Sequence, residues 1–146
     1  MIIRNMTTDD YEGVYRLWLN TPGMGLNTTD DSGEGIQKYL DRNPNTCFVA
    51  ERDREVIGVI LSGHDGRRGF IYHAAVKVSE RGSGIGSRLV DTAMSALEKE
   101  GINKVALVVY GRNESGNVFW EKCGFTVRDD LVYRNKNINE LIHLEI

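Results

Sequence analysis

The chain has 146 residues, the size of one domain with one substantial core, and is read as a single domain over 1–146. Its 40% apolar and 27% charged residues fit an ordinary globular protein, and a net charge of −3 with no basic block argues against a nucleic-acid partner. No apolar run is long enough to span a membrane and the opening MIIRNMTTDD has no signal-peptide core, so no membrane association and a cytoplasmic location are expected.

Ile2–Met6 is a short β-prone run. Thr7, Thr8, Asp9 and Asp10 supply N-cap chemistry, and Tyr11, Val14, Tyr15, Trp18 and Leu19 follow at helical spacing until Pro22-Gly23. Met24–Asp30 is a polar, glycine-containing loop. Ser32, Ile36, Tyr39 and Leu40 predict a second short helix ended by Asn43-Pro44. Cys47–Glu51 and Val56–Leu61 then read as a hairpin around Arg52-Asp53-Arg54, and GHDGRRG at 63–69 turns into a third strand, Phe70–Val78. After a glycine-rich stretch, Ile85, Leu89, Val90, Ala93, Ala96 and Leu97 form one helical stripe closed by Gly101. Val105–Tyr110 reads as a central strand buried on both faces, and Asn113 caps a short helix through Cys123. Phe125–Tyr133 and Leu141–Ile146 read as two closing strands. The predicted order is β-α-α-β-β-β-α-β-α-β-β, a mixed α/β (α+β) fold with a central sheet flanked by helices.

Cys47 and Cys123 lie in no CxxC pair and read as free thiols. His64, His73 and His143 have no metal-ligand spacing with either, so no metal is expected.

The stretch 79–89, SERGSGIGSRL, carries the strongest chemistry. A Walker A loop needs a Gly-Lys pair, which does not occur here. A dinucleotide fingerprint needs glycine at 87, where serine stands, and it opens a parallel βαβ unit rather than following hairpin strands. A glycine-rich turn holding no ligand is the plain alternative. Glycines ahead of a long amphipathic helix, with Arg81 beside them, suit a phosphate held on the helix's unpaired first-turn N–H groups. The residues themselves point to a phosphorylated cofactor.

Arg81-Gly82-Ser83-Gly84-Ile85-Gly86 resembles the R/Q-x-x-G-x-G/A signature of the GNAT superfamily of N-acetyltransferases, which use acetyl-CoA. Ala75–Val78 resembles the strand before that signature, and NESGNVFWEKCGF at 113–125 resembles the later N-x-x-A-x-x-F-Y-E-K-x-G-F motif, 27 residues from Gly86 to Asn113. GHDGRRG resembles a turn of small bacterial members. The resemblance covers essentially the whole chain. It implies that N–H groups from Gly82 to Ser87 hold the CoA pyrophosphate. Val76, Lys77 and Val78 would form the strand edge that pairs with the pantetheine arm and polarises the thioester carbonyl. Asn113 and Asn117 would contact the arm from the other side, with Phe119 and Trp120 alongside; for Asn113, helix capping is the other role, and the two are compatible.

The pattern breaks at two positions. Gly116 replaces the usual Ala. Trp120 stands where the family commonly has Tyr, proposed to protonate the departing thiolate; an indole N–H cannot do so, and packing is its plain role. Tyr110 and Tyr133 are then the candidate hydroxyl donors, with water as the other. Neither strand flanking the cofactor carries a carboxylate, so His73 is the candidate general base, a hydrogen-bonded structural histidine being the alternative. On the acceptor side, Asp30, Asp31 and Glu34, beside Thr28 and Thr29, suit a cationic amine and equally suit solvated loop positions, while Met24 and Leu26 are candidates for an apolar wall. The implied function is acetyl transfer from acetyl-CoA to a small-molecule or peptide amine. The alternatives are a non-catalytic acyl-CoA-binding module and, more remotely, a nucleotide-dependent oxidoreductase. Homodimerisation is an expectation taken from similar proteins.

Overall fold

A computed structural model describes residues 1–144. Its core is a five-stranded sheet in the order β1 (Ile2–Asn5), β2 (Phe48–Arg52), β3 (Glu55–His64), β4 (Gly69–Val76), β5 (Val105–Ala106). The first four strands pair antiparallel and β5 joins β4 in parallel, giving a mixed sheet. Alternation along β2 sorts the layers. Val49 faces one core with Val59, Leu61 and Ala75 under α1 (Tyr11–Leu19) and α2 (Gly33–Arg42). Phe48 and Ala50 face the other, with Ile60 and Ile71, under α3 (Ile85–Lys99) and α4 (Glu114–Lys122). Each fully buried aliphatic side chain contributes about 1.5–3 kcal/mol, so two apolar layers hold the sheet rigid between the helices.

Local chemistry sets the helix starts. The Ser32 hydroxyl accepts from the Gly35 N–H at 3.0 Å and begins α2. Arg4 on β1 forks onto both carboxylate oxygens of Asp10 at 2.8 and 2.9 Å and reaches Glu51 on β2, tying the first strand to the turn before α1.

Four expected strands differ. The strand read as Phe70–Val78 ends at Val76, and Val78–Glu80 turn as a short 3-10 helix closed by the Glu80 N–H on the Lys77 carbonyl. Val105–Tyr110 is not a central strand. Only Val105–Ala106 pair, at the sheet's edge, and Val108 and Tyr110 are 59% and 51% exposed. The two closing strands are absent among the described residues, while Glu145 and Ile146 of the second lie outside them. The short β5 leaves no ladder to extend, so β-prone Val127, Val132 and Tyr133 lie exposed; strand propensity describes a surface fit, and it needs a partner. Instead, the C-terminal segment clips onto the loop between α1 and α2. Asn27 and His143 form an antiparallel bridge, flanked by hydrogen bonds from Thr28 N–H to the Ile142 carbonyl and from Leu144 N–H to the Leu26 carbonyl, both 2.9 Å.

Candidate active site

The turn between β4 and α3 has the open backbone and free donors that suit an anion. Gly82 and Gly84 have φ of 86° and 85°, a left-handed conformation that glycine alone adopts without strain, and Gly84 is the residue from which α3 departs. A Cβ on either would meet nothing within 4 Å, so both open outward. Among the described residues, none of the backbone N–H groups of Gly82, Ser83, Gly84, Ile85, Gly86 or Ser87 donates to a protein acceptor. The first bond of the helix proper runs from Arg88 N–H to the Gly84 carbonyl at 3.1 Å. A run of unpaired donors at the positive end of a 15-residue helix fits a pyrophosphate. Ile85, Leu89 and Val90 are buried, so the helix end is fixed by the core.

Around this cradle the expected contacts divide. Arg81 lies at its mouth, its Nε donating to the Val76 carbonyl at 3.1 Å. Lys77 turns away: its Nζ pairs with Glu55 and its N–H donates to the Ile57 carbonyl. Val78 is exposed beyond the end of the strand. Asn113 caps α4, its Oδ1 accepting from Gly116 N–H at 3.0 Å. A Cβ at Gly116 would lie 2.4 Å from the Asn113 amide nitrogen, so alanine there would displace the capping side chain from this position. Asn117 Nδ2 donates to the carbonyls of Asn113 and Tyr110, holding the end of the β5 segment. Phe119 packs on Gly86 of the cradle, where a Cβ would lie 3.1 Å from its ring. Trp120 sits edge-on to Phe119 and Phe125 at 5.0 and 5.4 Å between centroids, in the second core. Burial raises the Cys123 thiol, with Asp91 adding to it, so this cysteine is no activated nucleophile.

The other half of the site is a bulge in β4. Val59 pairs with Ala75 and Leu61 with Tyr72, which sets Ile60 opposite two residues, His73 and Ala74. His73 takes φ 46°, a left-handed conformation unusual for a residue with a Cβ. Two residues hold it, Trp18 and Asp31. The indole N–H of fully buried Trp18 donates to the His73 carbonyl at 3.0 Å, and the two rings meet edge-on at 5.1 Å. The imidazole Nε2 lies 2.9 Å from Asp31 Oδ1. Asp31 is itself buried, its Oδ2 accepting from Asn27 N–H at 2.8 Å and its backbone carbonyl accepting from the Tyr11 hydroxyl at 2.7 Å.

Asp31 is one of the acids read as suiting a cationic amine, but its contact with His73 was not legible, and Trp18 was legible only as part of the apolar face of α1. Asp31 is one of three acids between residues 30 and 34, 42 residues from His73, and no spacing rule links them. Asp30 and Glu34 are exposed, and Leu26 is a core residue rather than a pocket wall. Of the two tyrosines, Tyr110 is half-exposed under the Arg112 guanidinium, and a Cβ on Gly25 of the α1–α2 loop would lie 3.5 Å from its hydroxyl. Tyr133 is 68% exposed. The phenol of Tyr72, next to His73 in sequence, is pushed up by burial and further by Tyr133 and Asp30. No His, Cys, Asp and Glu cluster suited to a metal occurs among the described residues, and no helix there is long and apolar enough to cross a membrane.

Comparison with known proteins places this geometry in context. The model of the acetyltransferase (GNAT) family matches residues 10–125. An acetyltransferase of Sodalis glossinidius is 32% identical over 140 residues, covering 96% of this chain and 97% of the relative. Another, from Photorhabdus laumondii, is 33% identical over 132 residues and 88% of each chain. Among solved structures, Ard1 from Thermoplasma volcanium superposes with a TM-score of 0.77 at 24% identity, covering 87% of this chain and 83% of the other. The PaiA N-acetyltransferase of Thermoplasma acidophilum, solved with coenzyme A, gives 0.74 at 19% identity over 97% and 96%. The two structural likenesses show the same fold.

Proposed function

The chain belongs to the acetyltransferase (GNAT) family, and from that premise we propose that it moves an acetyl group from acetyl-CoA to a primary amine by direct attack in a ternary complex. The observation that carries the reading is the run of unpaired N–H groups from Gly82 to Ser87 at the start of α3. Those donors, with Arg81 at the mouth, suit the CoA pyrophosphate. When bound, acetyl-CoA supplies the acetyl group as a thioester whose thiol leaves readily, with a pKa of about 8.5.

His73 is the base in this reading. The attacking amine must be neutral, which an α-amino group (pKa ~7.7–8.0) reaches more readily than a lysine side chain (~10.4). His73 takes the proton the amine loses as the N–C bond forms and the C–S bond breaks. Trp120 cannot return a proton to the thiolate; Tyr110, Tyr133 or water supplies one, and with so good a leaving group this help is worth less than the ~10²–10⁴-fold typical of general acids. The acceptor enters from the side of the α1–α2 loop, where Met24 is partly buried and Asp30 exposed.

A panel of amines, assayed by free-thiol release from acetyl-CoA, tests the proposal and identifies the acceptor class. Turnover with one class, and thermal stabilisation by acetyl-CoA but not by NAD or ATP, is the expected result. Tight CoA binding with no turnover on any amine would replace it with a non-catalytic acyl-CoA-binding module. His73→Ala should abolish one limb of the pH–rate profile; an unchanged profile removes His73 from the chemistry.

A further inference from the structure

We propose that Asp31 is a positioning residue for His73, fixing the imidazole as the Nε2–H tautomer and leaving Nδ1 as its only proton acceptor. The inference rests on the reading of His73 as the base and adds to it a residue from the loop before α2.

The argument starts from donors and acceptors. As a carboxylate, Asp31 has only acceptors to offer. Its Oδ2 already takes the Asn27 N–H at 2.8 Å, and its Oδ1 lies 2.9 Å from His73 Nε2. For that second contact to be a hydrogen bond, Nε2 must carry the proton. Among the described residues Nδ1 has no hydrogen-bond partner, so nothing in the protein competes for its lone pair. The contact is sheltered, with side-chain exposures of 18% for His73 and 5% for Asp31, so water does not freely replace either partner.

The backbone supports the same arrangement. A left-handed φ of 46° at a residue with a Cβ costs roughly 1–3 kcal/mol and persists only where its surroundings enforce it. Here the carbonyl of His73 is held by Trp18 from α1, and its ring by Asp31 from the loop before α2. Asp31 is anchored in turn through the Tyr11 hydroxyl and the Asn27 N–H. The support thus comes from two separate elements, α1 and the loop before α2. Asn27 also forms the bridge to His143, so the loop that orders Asp31 is the loop on the acceptor side. Acceptor binding and orientation of the base therefore share one segment.

The first arm of the test needs no knowledge of the acceptor. Long-range proton–nitrogen correlation of ¹⁵N-labelled full-length protein, recorded at a pH where imidazole is neutral, reads each histidine's tautomer. His73→Ala assigns the His73 signals among the three histidines. The expected result is protonated Nε2 and bare Nδ1 at His73 in the native protein, moving to a tautomer mixture in Asp31→Asn. Protonated Nδ1 in the native protein overturns the assignment even if Asp31→Asn does not fold. An unchanged His73 spectrum in a folded Asp31→Asn overturns it as well. Kinetics give the second arm. His73→Ala should lower kcat by about 10²–10⁴-fold, and Asp31→Asn should lower it by no more than that, with KM for acetyl-CoA unchanged in both. In the double variant Asp31→Asn should add less than about twofold, because its effect passes through His73. Independent, multiplying losses would mean that Asp31 acts elsewhere. A native kcat in His73→Ala would instead refute the base reading while leaving the tautomer result standing, so the two failures are distinguishable.

Discussion

Replacing Trp18 with phenylalanine removes one N–H and part of one ring from the point where α1 meets the β4 bulge. Trp18 is fully buried, and its indole N–H is the donor to the His73 carbonyl at 3.0 Å. Phenylalanine leaves that carbonyl without its partner, a penalty of about 1–3 kcal/mol for a buried group. The missing half-ring leaves a void, and at about 24 cal/mol per Å³ a space of a few methylene groups adds on the order of 1 kcal/mol. The sum, about 2–4 kcal/mol, lowers Tm by roughly 4–16 °C at 2–4 °C per kcal/mol for a chain of this size. Differential scanning calorimetry measures it directly. Because the same bond holds His73 in its left-handed conformation, kcat should fall while KM for acetyl-CoA, set at the far end of β4, stays put. A Tm within about 1 °C of native would mean that the bond contributes nothing measurable. A lowered Tm with native kcat would mean that the bulge holds its shape without Trp18.

Three further outcomes follow from other parts of the molecule. Gly84→Ala forces a Cβ into φ 85°, which should cost about 1–2 kcal/mol of stability; since that Cβ meets no protein atom, it should also weaken acetyl-CoA binding by about tenfold or more, ~1.4 kcal/mol by titration calorimetry, and an unaltered Kd would place the pyrophosphate elsewhere. Gly116→Ala brings a Cβ against the Asn113 amide and should cost about 1 kcal/mol of capping despite alanine's better helix propensity. In an Asn113→Ala background the same change should become stabilising, and a sign that does not reverse in denaturant titrations refutes the clash. Burial would raise the Asp10 carboxyl, but its bonds from Arg4 and Thr7 outweigh this and hold it below the usual carboxylate range. The unfolded chain therefore binds that proton more readily than the folded one, so the stability it confers is complete above ordinary carboxylate pKa values and drains away as pH falls through the folded value. Tm measured from about pH 6 to about pH 3 should fall more steeply for the native protein than for Asp10→Asn, and parallel curves would contradict this.

The helices and the cradle were readable because their determinants are local. Glycines at 82 and 84 encode a backbone conformation directly, Ser32 and Asn113 sit where a cap belongs, and the stripe from Ile85 to Leu97 fixes the face that α3 buries. The strands from Cys47 to Val76 were readable because each is joined to the next by a short turn. What failed depends on distant partners. Val105–Tyr110 and Phe125–Tyr133 have strand-like residues, but whether a ladder forms is decided by the neighbouring edge, which β5 keeps to Val105–Ala106. His73 could be picked out as the one ordinary base on its strand, yet its bulge, its left-handed φ and its bond to Asp31 arise from packing across 42 residues of chain. Asp31 looked like its exposed neighbours Asp30 and Glu34 because burial is not written in residue type.

The clip between residues 26–28 and 142–144 joins segments more than a hundred positions apart. During synthesis from the N-terminus, the sheet and α3 can form while the α1–α2 loop still lacks its partner. The α1–α2 loop thus gains these bonds only after residues 142–144 have emerged and returned to it. A fragment ending at residue 140 should keep sheet amides slow to exchange while the Thr28 amide exchanges freely. Equal protection in fragment and full chain would show that the loop orders itself. A loop beside His73 and a segment more than a hundred residues later are thereby linked through a few backbone hydrogen bonds.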